Sequence, residues 1–443
     1  MKNLGLKIWR LLGKLFALKN KHMGIFSLGK KSEKNKYIPT LALDIGTEFV
    51  KALVCQFFPQ DKKILIAGSG KQRQQLGDMQ AGSILDIASV IHNAEEAIAQ
   101  AEKEAGFRPE QMVMGIGGEM IKGKSTIVNY TRENSERKID LAELKNIVHQ
   151  VQWQAFDQIR KELAIETGHE EIEVKLVNAV ITKVEIDGQV AVNPIGFQGK
   201  KMSLQVFNAF APLTHFGAMQ TVAAELQRDL LAIVAQPYAL SRALTSEDGG
   251  SLSGIFVDIG GGTTDIAIVE NGSVVGMKVF GLGGRTFTKR LSTNLNISFR
   301  EAEKIKIAYT ENQLDKQSRE IVQEAFATDA RVWLAGMEIA LQEFEGIETL
   351  PSRILLCGGG SKLPEIKKCL EEKKWLKKIK FAKVPRIQYL EPSELTSVKD
   401  ATKKLTGVEN ITPMALANLT AEFAGEEPVL QKIIKNMSNL FHN

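Results

Sequence analysis

Twice in this chain an apolar strand runs into a single aspartate, turns through small residues and leaves as a second apolar strand. The later copy is "IFVDIGGGTTDIAIVENGSVVG", Ile255 to Gly276, and the earlier is "LALDIGTEFVKALV", Leu41 to Val54. Glycines have no Cβ, so successive backbone N–H groups can converge on one point. Converging amides bind anions, phosphate above all. Gly260, Gly261 and Gly262 supply that freedom in the later copy, where Thr263 and Thr264 add hydroxyl donors; Gly46 and Thr47 take those places in the earlier one. A carboxylate would repel a phosphate directly, so Asp44 and Asp258 are expected to hold a hydrated Mg2+ that accompanies it. The same glycines would also suit a plain tight hairpin. What favours the phosphate reading is repetition, which reads as an internal duplication.

A third segment, "ILLCGGGSKLPEI", Ile354 to Ile366, is again a strand ending in glycines, Gly358, Gly359 and Gly360, with Ser361 and Pro364 placed to start a helix. The three segments resemble the two phosphate motifs and the adenosine motif of the actin-like ATPase superfamily. That resemblance implies an α/β, two-lobed fold of duplicated ribonuclease-H-like domains closing on ATP and Mg2+. It places Asp44, Gly46, Thr47, Lys51, Gly260, Gly261, Gly262, Thr263, Thr264, Gly358, Gly359 and Gly360 on the nucleotide, with Asp44 and Asp258 on the metal. In "EAEKIK", Glu303 and Lys306 resemble the superfamily's ribose- and adenine-contacting helix; residues three apart share a face, and would equally suit a surface ion pair. In "QPYALSRAL", Gln236 resembles the residue that orients the attacking water, so Gln236 and Asp258 are the expected catalytic groups of an at most slow ATPase.

Within the superfamily, "EIDGQVAVNPIGFQGKKMSLQV" resembles a segment of the FtsA family of bacterial division proteins, through Asn193, Pro194, Ile195, Gly196 and Gly199. "GLGGRTFTKRL", "REAEKIKIAY" and "TPMALANLTAEFA" fit the same family. The likeness spans roughly residues 39–443. It implies an inserted α/β subdomain, called 1C in that family, at 84–185. The remaining boundaries are then a basic arm and linker at 1–38, lobe I at 39–83 and 186–250, lobe II at 251–395, a return to lobe I at 396–427, and a C-terminal helix at 428–443. It also implies the partners: the C-terminal peptide of an FtsZ-like tubulin homologue, further copies of the chain in a filament, later division proteins and an anionic membrane. The location implied is peripheral, on the cytoplasmic face of the cell membrane at the division septum. The alternatives are a PilM-like pilus or secretion adaptor, which shares the ATP motifs and the insertion, and a sugar-kinase-type enzyme. A kinase would need a substrate aspartate, and none stands out. A DnaK-type chaperone would need a β-rich peptide-binding domain after the ATPase.

Charge and composition bear on partners. The chain has 443 residues and a net charge of +5, but residues 1–38 alone hold ten Lys/Arg against one Glu, a net of +9, so the remainder is −4. No basic stripe with interleaved aromatics marks the body, which argues against nucleic acid as a partner. Residues 4–18 read as a basic amphipathic helix, with Leu4, Ile8, Leu11, Leu12, Leu15 and Leu18 on one face and Lys7, Arg10 and Lys14 bordering it, a pattern that suits an anionic membrane interface or a partner protein. Met23 offers an alternative start that would exclude this helix. At the other end, "EEPVLQKIIKNMSNLFHN" carries an apolar face of Val429, Ile433, Met437 and Leu440 with only Lys432 and Lys435 as cations, resembling a membrane-targeting helix or one docked on the body. No stretch is apolar enough to span a bilayer. Cys55, Cys357 and Cys369 show no metal-ligand spacing and read as buried free thiols.

Overall fold

The computed structural model describes residues 37–168, 172–244, 252–344 and 346–424. The two terminal amphipathic segments lie outside the described residues.

The chain opens as an antiparallel meander, β1 (Ile38–Ile45), β2 (Phe49–Phe58) and β3 (Lys63–Arg73), followed by a short pair, β4 (Met79–Gln80) and β5 (Ser83–Ile84). Helix α1 (Ile87–Ala105) starts where the Asp86 carboxylate accepts the Ser89 N–H and stops at Gly106 in the left-handed region. Its buried stripe, Val90, Ala94, Ala97, Ile98 and Ala101, recurs at helical spacing and packs on β2 and β3. The approach is close because the alanines meet glycines: a Cβ on Gly70 would stand 1.8 Å from the Ala97 carbonyl oxygen. Strand β6 (Gln111–Ile116) then pairs parallel with β1.

The chain leaves this sheet through β7 (Lys122–Thr131), α2 (Leu141–Thr167), β8 (Val174–Ile186), β9 (Gln189–Val190) and β10 (Lys201–Pro212). The β8–β9 turn is Asp187-Gly188, both at positive φ, as a two-residue hairpin requires. After α3 (Leu213–Glu225), β11 (Asp229–Ala235) pairs parallel with β6, and α4 (Gln236–Ala243) follows without a break.

The second half repeats the first. Strands β12 (Gly254–Ile259), β13 (Thr264–Glu270) and β14 (Ser273–Phe280) form an antiparallel meander, and helices α5 (Gly284–Leu295), α6 (Phe299–Thr310) and α7 (Lys316–Gln342) cover it. Strand β15 (Arg353–Cys357) pairs parallel with β12; after α8 (Pro364–Leu370) and α9 (Lys373–Leu376), β16 (Arg386–Tyr389) pairs parallel with β15. The chain returns to the first sheet through β17 (Val398–Asp400), parallel to β3, and ends its described part in α10 (Ile411–Ala424), which packs on β1, β6 and α4.

The sheet orders are β11-β6-β1-β2-β3-β17 and β16-β15-β12-β13-β14-β7-β10-β8-β9. In each, a three-stranded meander is flanked on its first strand by two parallel strands, so the duplication read from the hairpins extends to whole sheets. This is the actin-like ATPase fold.

The insertion differs from the 84–185 expected. Residues 87–116 belong to the first sheet and its covering helix, whereas β10, assigned to lobe I, pairs with β7 and β8. Hydrophobic periodicity gives an element's type but not its partner, and the β6–β1 pairing joins residues some seventy positions apart. The excursion therefore runs through β7–β10. It joins the second sheet through a ladder of two residue pairs, Gly276–Lys124 and Met277–Gly123.

Candidate functional site

Each meander delivers its aspartate to the same place. Asp44 sits one residue before the end of β1, and the Gly46 N–H closes the following turn on the Phe49 carbonyl at 3.1 Å. Asp258 sits one residue before the end of β12, and the Gly260 N–H closes its turn on the Thr263 carbonyl at 2.9 Å. The two turns face one cavity of about 660 Å3. It is lined by Asp44, Gly46, Thr47, Lys51, Gln236, Asp258, Gly260, Gly261, Thr263, Glu303, Lys306, Gly358, Gly359 and Gly360, so fourteen of the residues singled out in the sequence converge.

Two do not. Gly262 packs behind the turn, where a Cβ would stand 2.8 Å from Thr47 Oγ1. Thr264 points away from the cavity: its hydroxyl donates to the Leu282 carbonyl at 2.7 Å and accepts from Trp333 Nε1 at 2.8 Å, inside the core of the second half. Alternation along the strand explains this. Asp265 is the cross-strand partner of Asp258 and shares its face, so Thr264, one residue earlier, takes the opposite face.

Around the aspartates the chemistry is that of buried charge. Asp44 Oδ1 accepts a hydrogen bond from Gln236 Nε2 at 2.5 Å, and Asp258 Oδ2 accepts one from Thr412 Oγ1. Burial pushes the Asp44 carboxyl up to about 6, with Asp258 adding to the rise and Lys51 and Gln236 opposing it. Burial likewise raises Asp258, against the Thr412 hydrogen bond and Lys51. Asp265 rises furthest, to about 8, through burial and then the fields of Asp258 and Asp44, and its Oδ1 is buried without a hydrogen-bond partner. These carboxylates crowd one site, and Lys51 offsets their charge only in part.

That crowding has a measurable consequence. From about pH 4 to pH 8 an unfolded chain has released the protons that Asp44 and Asp265 still hold when folded, so the folded state binds more protons and loses stability as pH rises through this window. We expect the metal-free protein to melt at a higher temperature at pH 5 than at pH 8, and Asp265→Asn to flatten that slope. A wild-type melting temperature that climbs across the same window would contradict this.

The third glycine turn is built against the second aspartate. Gly358 has φ of 80° and ψ of 158°, a conformation open essentially to glycine, and Ser361 Oγ donates to its carbonyl at 2.7 Å. On α6, Glu303 and Lys306 form an ion pair at 2.8 Å. Lys306 also donates to the Gly284 carbonyl at 3.0 Å and to Thr288 Oγ1 at 2.8 Å, which fixes that ammonium at the cavity wall.

One cluster was not foreseen. Arg285, at the start of α5, donates from Nε to Glu48 Oε2 at 2.9 Å, from Nη2 to the Thr47 carbonyl at 2.6 Å and from Nη1 to the Met79 carbonyl at 3.1 Å, while its backbone N–H bonds the Gly261 carbonyl at 2.8 Å. Glu48 also receives Arg73 Nε at 2.9 Å. Arg285 thus ties the first turn to the second. Thr412, Glu409 and Gly117 also line or support the site and were not named from the sequence. Glu48 was visible inside the first hairpin and Arg285 inside "GLGGRTF", but nothing local couples positions 237 residues apart.

Among the described residues no helix is long and apolar enough to cross a membrane, and no group of three or more His, Cys, Asp or Glu is arranged to hold a metal by itself.

The sequence profile described as "Cell division protein FtsA" matches residues 255–405. Cell division protein FtsA of Bacillus subtilis (strain 168) is 26% identical over 348 residues, covering 74% of each chain, and that of Neisseria meningitidis serogroup B is 31% identical over 288 residues, covering 62% of each. The chain is similar to these FtsA proteins over most of its length. The FtsA profile covers the second half, from the Asp258 hairpin to past the third glycine turn. Among solved structures, the PilM-PilN type IV pilus biogenesis complex superposes with a TM-score of 0.63 at 16% identity, covering 86% of this chain and 98% of that one. That likeness, at such low identity, concerns the fold alone.

Proposed function

We propose that this chain is an FtsA-type protein that binds ATP with Mg2+ in the cavity between its two halves, assembles with further copies at the cytoplasmic face of the cell membrane, and tethers FtsZ-type filaments there. The observation that carries the nucleotide reading is the convergence of two aspartate-ended turns, one from each half, on a single cavity closed by a third glycine turn.

Asp44 and Asp258 suit a hydrated divalent cation: two buried carboxylates line one cavity and the Asp258 charge raises the proton affinity of Asp44, a cost that a cation beside them would remove. The remaining ligands would be water and phosphate oxygens. When bound, Mg2+ would neutralise phosphate charge. The turns at Gly46–Thr47 and Gly260–Thr263 would present N–H groups to phosphate, with Lys51 beside them. Gly358–Gly360, Glu303 and Lys306 would receive the nucleoside. Gln236, its Nε2 engaged by Asp44, would orient a water through Oε1, which suits slow turnover. The two lobes would follow the two sheets, and β7–β10 would form the protein-binding insertion.

Support for the division role comes from the FtsA relatives and from the two terminal segments read as amphipathic helices, a cationic one and an apolar one. Two weak anchors together give stable peripheral attachment where one alone gives marginal binding. The test uses the full chain. Calorimetric titration with ATP should show binding that requires Mg2+, and FtsZ filaments should pellet with anionic liposomes only when the protein is added. Absence of Mg2+-dependent ATP binding would overturn the nucleotide reading, and FtsZ remaining in the supernatant would overturn the tether.

A further inference from the structure

The register of the first sheet sets three charged residues in a row. Asp44 on β1 is paired with Lys51 on β2, and Lys51 with Lys71 on β3. Residues directly opposed across strands share a face, at about 4.8 Å per strand, and all three line the cavity. Two lysines directly opposed repel one another. Neighbouring cations have their own carboxylates: Arg73 bonds Glu48, and Lys362 bonds Glu409 at 2.8 Å. Lys71 has none. Its ammonium makes no ion pair among the described residues and rests 3.8 Å from the centroid of the Phe49 ring. Burial, Lys51, Lys362 and Arg73 all disfavour its charge, and Glu409 alone among the facing groups favours it. A lysine held against three other cations, at the wall of the proposed nucleotide cavity, is placed to take a phosphate.

We propose that Lys71 is a further phosphate-binding residue of the cleft, closing with Lys51 on the phosphates nearer the nucleoside. The inference rests on the nucleotide reading above. Position along the row selects those phosphates. Asp44, next to Asp258, marks the metal and hence the outer phosphates. Lys71 stands two strands further out, toward Lys362 of the third glycine turn, where the nucleoside would lie. Phe49 holds the ammonium by cation–π attraction until a phosphate takes it.

Lys71 should therefore act on ADP as much as on ATP and not on adenosine. In calorimetric titrations, Lys71→Ala and Lys71→Met, which keeps the aliphatic stem on Phe49, should weaken ATP and ADP binding by about tenfold each, as expected for one charge-assisted contact. Adenosine, measured by competition, should bind as in wild type. ADP affinity should depend less steeply on salt in both variants, and Lys71→Arg should recover most of the loss. The ligand-free Lys71→Met protein should melt no lower than wild type, because a repulsion has been removed. Wild type that binds ATP·Mg2+ while both variants match it would overturn the Lys71 assignment alone. A parallel loss of adenosine binding would make Lys71 structural and overturn it too. Wild type that binds no nucleotide would overturn both readings.

Discussion

Replacing Asp258 with asparagine will remove Mg2+-dependent ATP binding and yet leave the ligand-free protein at least as stable as wild type at pH 8; Asp44→Asn will do the same. The two effects have one origin. Each carboxylate is buried, its proton affinity is raised by that burial, and at pH 8 the ligand-free protein must carry ionised groups that the surroundings disfavour. Asparagine keeps the shape and an acceptor for Gln236 or Thr412 but removes the charge. A cation bound with nucleotide depends on that charge. Loss of either carboxylate should weaken ATP binding at least about 100-fold, about 2.7 kcal/mol, as measured by calorimetry with Mg2+ present. Thermal melts of the ligand-free variants supply the other sign. Unchanged ATP affinity in both variants would sink the metal assignment, and a collapse of the ligand-free fold would show that the carboxylates serve structure instead.

Gly358→Ala should be the most damaging single change in the glycine turns. Its backbone lies where a Cβ is strained in itself, and the added methyl would stand 2.1 Å from Asp258 Oδ1 and 2.5 Å from the Ile259 carbonyl oxygen. Strain of this kind costs about 1–3 kcal/mol before any overlap is counted, and overpacking adds about as much again. Gly359→Ala is the control, since its nearest neighbour would be Glu409 Cβ at 3.9 Å, an ordinary contact. Chemical denaturation should give a loss of about 3 kcal/mol or more for Gly358→Ala and almost none for Gly359→Ala. Equal stabilities would mean that the turn relaxes freely and does not hold Asp258.

What could be read from the sequence was local. A strand, an aspartate, glycines and a strand form one hairpin within twenty residues, and two such hairpins with the third glycine turn were enough to give the fold and eleven of the fourteen lining residues. Thr264 was assigned to the phosphates by composition, and strand alternation, already legible in "GTTDIAIV", places it in the core with Trp333. Arg285 and Glu48 form their bond only once both halves are folded, so neither reads as more than a surface charge in the chain. The insertion's limits failed for a related reason. Nothing in "QMVMGI" says that it pairs with β1, and nothing in "KGKSTIVNYT" says that it joins β14.

That last junction bears on movement. The insertion is spliced by both its ends into the first half, between β6 and β11, but its β7 is laced to β14 of the second. It therefore bridges the two halves like a door-stay. If the halves swing apart, either the two-rung seam at Gly276 and Met277 shears, or the insertion travels with one half and its tethers bend. A bridge of this kind would limit how far the halves can part, and a protein bound to the insertion, as proposed above, would register that parting as a displacement.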